Sequence, residues 1–163
     1  MIRAGVVALA LSAVTLAAQD PPKLEKVGGS NNVHLLSHVP LGGYFRVADA
    51  DLEQEMSRPY AYVGQIRDRA GFTIIDIKDP SNPKVLYKWR IENYELHQGD
   101  GGLRAKYFKL HGRYYVAVCY QFLQGSPDAD LGAIIYDVTS LPDTSKIKVV
   151  ARITAPSLPG GFH

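Results

Sequence analysis

Residues 71–86 read GFTIIDIKDPSNPKVL, and the fold turns on this stretch. Its first half, Phe72-Thr73-Ile74-Ile75-Asp76-Ile77, is a short apolar, β-branched run opened by Gly71. Such a run suits a strand packed on both faces of its sheet. Its second half, Asp79-Pro80-Ser81-Asn82-Pro83, gathers turn formers, and its prolines fix φ and carry no N–H. Neither strand nor helix crosses such a segment, so Val85–Ile91 reads as the next strand after a tight turn. The same unit returns as Gly132-Ala133-Ile134-Ile135-Tyr136-Asp137-Val138, followed by the turn-rich Thr139–Asp143 and then by Ile147–Ile153.

Working outward, each of these units is preceded by an arginine and a tyrosine-rich strand. Arg58 leads into Pro59-Tyr60-Ala61-Tyr62-Val63, and Arg113 leads into Tyr114-Tyr115-Val116-Ala117-Val118, 55 positions later. The Gly71 and Gly132 strands lie 61 apart, the difference falling in a longer Gln121–Leu131 loop. Asp49–Met56, where acidic and less polar residues alternate, corresponds to Leu103–Leu110. Asn32–Val39 is a further candidate strand, and His38 matches His97, each a few residues before a glycine pair. Insertions confined to loops, with strands keeping their spacing, mark a structural repeat.

Each unit therefore reads as four antiparallel strands in roughly 55 to 65 residues, the plan of a propeller blade with long loops. No amphipathic helical period interrupts them, which disfavours a βαβ arrangement. The expected fold is all-β: a β-propeller of four-stranded antiparallel blades, seen as an N-terminal fragment with about two of them. The first blade region is 32–95, the second blade 96–157, and 158–163 opens a third. Two blades alone leave apolar faces uncovered, so further blades of the same chain are the expected neighbours.

At the start, Met1-Ile2-Arg3 leads into the apolar run Ala4–Leu16, closed by Ala17 and Ala18. This is the layout of a secretory signal over residues 1–18, cut after Ala17 or Ala18, with 19–31 as a linker. The run is too short to span a bilayer. Export predicts a periplasmic, extracellular or cell-surface protein. Cys119 is the single cysteine, so no internal disulfide forms, and its apolar strand reads it as a small buried hydrophobe. With a net charge of +2 and scattered basic residues, neither nucleic acid nor a membrane surface is an expected partner.

The Gly71–Ile77 strand, with Asp79–Pro83 behind it and Tyr60–Val63 before it, resembles the LVIVD-repeat family of secreted, mostly bacterial β-propeller proteins. In the second unit Tyr136 precedes the aspartate and Leu141-Pro142-Asp143 replaces the usual turn, so order and spacing carry that match. The resemblance covers Arg58–Ile153. It implies a propeller and an exported location, and it brings no catalytic residues with it.

Two residue sets invite chemistry. His38, His97 and His163 recur once per unit, and on strands leading to a ring axis they would line a channel able to hold a transition metal or small ligand. Asp76 and Asp137 end matched strands, and Asp79 opens the following turn. An acid that recurs in every unit does a structural job, accepting N–H groups of the turn. His111, before Gly112, belongs to a surface hairpin turn. The ten tyrosines suit packing between blades, each burying a ring while keeping a polar tip. The functional expectation is a binding or surface-structural module facing a protein or cell-surface partner, with the histidine channel as a metal, small-ligand or enzymatic site the alternative.

Overall fold

The computed structural model describes residues 31–42, 46–66, 71–90, 102–122, 132–154 and 160–161. The chain divides into two compact units, Met1–Leu35 and Leu36–His163. Of the first unit only 31–35 are described, and they contain no strand. The second holds every described strand: β1 Val47–Leu52, β2 Tyr60–Gln65, β3 Gly71–Asp76, β4 Lys84–Arg90, β5 Gly102–Leu110, β6 Arg113–Phe122, β7 Gly132–Asp137, β8 Lys148–Thr154 and β9 Gly160–Gly161. Among the described residues there is no α-helix, only a single 3-10 turn at Thr144–Lys146. None is therefore long and apolar enough to cross a membrane.

The strands form two antiparallel meanders, β1-β2-β3-β4 and β5-β6-β7-β8, with β9 pairing the end of β6. Their registers are the same. Tyr60 faces Asp76 in the first sheet, and Tyr115 faces Asp137 in the second. The β1–β2 pairing slips between Val47 and Asp49, and the β5–β6 pairing slips at the corresponding place, between Gly102 and Arg104. A second irregularity falls between Ile74 and Ile75 in β3 and recurs between Ile135 and Tyr136 in β7. Bulges re-aim every side chain beyond them, so shared bulges mean that the two sheets present matched faces.

That register corrects the sequence alignment of the first strand by one residue. Asp49 corresponds to Arg104, and not to Leu103. The slip matters because neighbouring residues of a strand point to opposite faces. A second correction concerns Asn32–Val39, which forms no strand. Pro40 has no N–H for a ladder, and Ser37–Leu41 lies over a sheet face. Val39 and Leu41 pack on Ala61, Val63 and Ile75. Gln65 Nε2 donates to Leu41 O at 2.7 Å, and Ser37 Oγ donates to Pro80 O at 2.6 Å.

The main core lies between the sheets. The first contributes Tyr60, Tyr62, Phe72 and Ile74, and the second Ala105, Val116, Val118, Tyr120, Ile134 and Tyr136. Aromatic rings cross the seam, Phe72 against Tyr136 with centroids 4.8 Å apart and Trp89 against Tyr120 at 5.4 Å. Because the registers match, the two faces in contact are unlike. Tyr60, Tyr62, Phe72 and Ile74 correspond to Tyr115, Ala117, Ala133 and Ile135, which lie on the far side of the second sheet. The sheets stack leading face on trailing face, as successive members of a repeat do.

Glycines permit the closest approach. A Cβ on Gly102 would sit 2.2 Å from Gly71 O, and one on Gly71 would sit 2.0 Å from Trp89 O. At the opposite end His111 (φ 48°) and Gly112 (φ 73°) make the two-residue β5–β6 turn, both in the left-handed region that such a hairpin needs. Replacing Gly102 with Ala forces backbone apart at the seam, and we expect a loss of about 1–3 kcal/mol, the usual cost of overpacking. Urea unfolding midpoints of the G102A variant against the parent chain check this.

Candidate functional site

The richest cluster of polar side chains lies in the seam and starts from a simple pattern. Asp49, Asp51, Glu53 and Glu55 alternate along β1 and the residues after it, so their side chains share one side of the chain. That side meets the second sheet. Asp49 pairs with Lys106 Nζ at 3.2 Å, Asp51 Oδ2 accepts from Tyr107 N at 2.9 Å, and Glu55 accepts from Lys109 Nζ and from Tyr114 OH, the latter at 2.7 Å.

Glu53 is the centre of this group. Its side chain is fully buried. Arg58 grips it with both arms, Nε to Oε2 at 2.6 Å and Nη2 to Oε1 at 3.0 Å, and Tyr62 OH donates to the same carboxylate. The guanidinium also reaches the second sheet, donating to Val138 O at 3.0 Å and Thr139 O at 3.3 Å. It stacks over the Tyr114 ring with 3.9 Å to the centroid, a cation–π contact. One arginine thus neutralises a buried acid and ties down the turn that follows β7.

The electrostatics follow from these contacts. Burial alone would lower the Arg58 pKa, but the Glu53 hydrogen bonds and charge outweigh it and raise it. Burial and then the Glu53 bond push the Tyr62 phenol far up, so it stays a donor. Hydrogen bonds from Lys109 and Tyr114 hold the Glu55 carboxyl below its ordinary value. Burial drives Tyr120 well up, with Tyr136 adding to the effect. The Cys119 thiol is half-buried and pushed up by desolvation, the environment of an unreactive thiol.

The acids singled out in the sequence occupy the β3–β4 turn and its counterpart. Asp76 Oδ1 accepts from Lys78 N at 2.8 Å, and Asp137 Oδ1 accepts from Thr139 N at 3.0 Å. Asp79 accepts from Ser81 N at 3.0 Å, and Asp143 from Ser145 N at 3.2 Å. The second turn therefore keeps both aspartate caps although its sequence departs from DPSNP. Asp137 also accepts from Arg113 Nε at 3.1 Å. Burial alone would raise its carboxyl, but the bonds from Thr139 and Arg113 outweigh this and depress it. Asp76, Lys78, Asp79, Asn82 and Lys84 line an open hollow of about 300 Å³ at this end of the first sheet.

His38 is exposed on the segment that crosses the first sheet. His97 and His163 lie outside the described residues. Among the described residues no group of three or more His, Cys, Asp or Glu side chains could hold a metal ion. Glu53 and Asp143 escaped the sequence reading. The signal for Glu53 was the acidic alternation over Asp49–Met56, whose pattern alone does not show what covers it. Asp143 could have been found from the shared Asp-x-Ser spacing of 79–81 and 143–145. No family model, curated protein or solved structure matches the chain.

Two tests follow. Arg58→Ala leaves Glu53 buried and unpaired, and we expect a loss of about 3 kcal/mol or more, the scale for breaking a buried ion pair. Chemical denaturation measures it, and Arg113→Ala, whose side chain is 56% exposed, should cost well under half as much. The second test is pH. Asp137 and Glu55 have depressed folded pKa values, so each stabilises the fold above its ordinary value and loses that effect as pH falls through the folded one. Thermal midpoints should be flat from about pH 5 to 7 and fall below about pH 4, and Asp137→Asn should flatten that slope.

Proposed function

We propose that the chain is an exported β-propeller repeat module of the LVIVD type, its two sheets serving as blades and its turns presenting a binding face to a protein or cell-surface partner. One observation carries this reading: two sheets with the same strand order, registers and bulges stack leading face on trailing face. Radial repetition of such a plan builds a propeller. The charged side chains of β1 support a structural role, because each acid from Asp49 to Glu55 is bonded at the seam. The hollow between Asp76 and Lys84 is open, mixed in charge and set on well-capped turns, which suits recognition of a polar surface by a rigid scaffold. Residues 1–18 support export.

The experiment is saturable binding of the labelled, purified chain to intact cells of its source. The expected result is binding that falls at least about tenfold in the Lys78→Ala/Lys84→Ala double variant, whose unfolding free energy stays within about 0.5 kcal/mol of the parent. Elemental analysis of the same samples tests the channel alternative. A stoichiometric transition metal that is lost in His38→Ala would overturn the binding-module reading.

A further inference from the structure

Among the described strands, the stack of two sheets has two unlike outer faces. At one end is the trailing face of the first sheet, where Ala61, Val63 and Ile75 occupy the positions that Val116, Val118 and Tyr136 hold in the second. In the second sheet those positions seat a whole neighbouring sheet. In the first they are covered, among the described residues, by Val39, Leu41 and Ile77, and the strap carrying Val39 and Leu41 is tethered through Gln65 and Ser37 without any ladder pairing. At the other end is the leading face of the second sheet. Its Tyr115, Ala117, Cys119 and Ile135 are half-buried and, among the described residues, belong to neither apolar cluster, and Phe108 stacks on Tyr115 with centroids 5.3 Å apart.

We propose that Ser37–Leu41 is a plug in a module seat, and that with the plug lifted the leading face of a second copy's β5–β8 sheet takes that seat. The template is the seam within the chain, where the same leading positions already dock on the same trailing positions. A contact between two different faces does not close on itself after one addition, so copies would add in series. The plug then acts as the end caps of repeat proteins do, holding a sticky face out of reach. This inference rests on the stacking within one chain and not on a cell-surface partner; under the propeller reading a further blade of the same chain takes the leading face, and the strap variant then stays monomeric.

Sedimentation velocity over a concentration series tests it on the full chain. The parent is expected to stay monomeric up to about 100 μM, whereas Val39→Asp/Leu41→Asp forms a ladder of oligomers. Adding Ile135→Arg on the leading face should return that variant to monomer. Maleimide labelling of Cys119 should slow by about fivefold or more as the oligomers form, because the thiol lies on the face being covered. Where the double aspartate variant loses the parent's far-ultraviolet strand spectrum, Val39→Ser/Leu41→Ser takes its place. A folded strap variant that remains monomeric at the same concentration overturns the proposal. So do oligomers that persist with Ile135→Arg, or a parent chain that already assembles.

Discussion

A fully buried carboxylate, Glu53, held by the two arms of Arg58 and the hydroxyl of Tyr62, is the contact on which the relation between the two sheets depends. A buried charge is tolerated only when it is paired and its lone pairs are used, and both conditions are met here. The arrangement has a directional consequence. Arg58 belongs to the first sheet, yet its remaining donors go to Val138 O and Thr139 O of the second. Shifting one sheet along the other by a residue pair would strand those donors and expose the apolar core. The apolar seam supplies the driving force for stacking, and the polar network specifies where stacking stops.

The network is used once. At the positions equivalent to Asp49, Asp51, Glu53 and Glu55 the second sheet carries Arg104, Lys106, Phe108 and Leu110. Arg113, the counterpart of Arg58, has no inward acid beside it and turns to Asp137 of its own sheet. The two modules thus share a backbone plan and differ in how their leading faces recognise what comes next. Repeats built this way keep their order, since a face that carries acids and a face that carries bases and rings do not accept the same neighbour. The turns, by contrast, are alike in both modules: Asp76 and Asp79 in one, Asp137 and Asp143 in the other, each satisfying the N–H two residues on. Caps serve the sheet that contains them, so they repeat with it.

Legibility followed range. The sequence alone determined the strands of both sheets and the turns between them, because β-branched runs and proline-rich turns act over a few residues and need no partner to be recognised. Gly71–Ile77 and Gly132–Val138 were visible for that reason, as was the hairpin at His111-Gly112. Which face each strand shows, and to what, was decided only in three dimensions. The one-residue slip that aligns Asp49 with Arg104 depends on a bulge, and the burial of Glu53 depends on a sheet whose first strand begins some fifty positions later. Val39 ends, and Leu41 follows, a stretch that reads as a strand, yet they lie across a sheet face, where they cover Ala61, Val63 and Ile75. Local pattern sets the backbone's conformation, whereas the removal of apolar faces from water sets the partners, and that second choice is made by the whole chain at once.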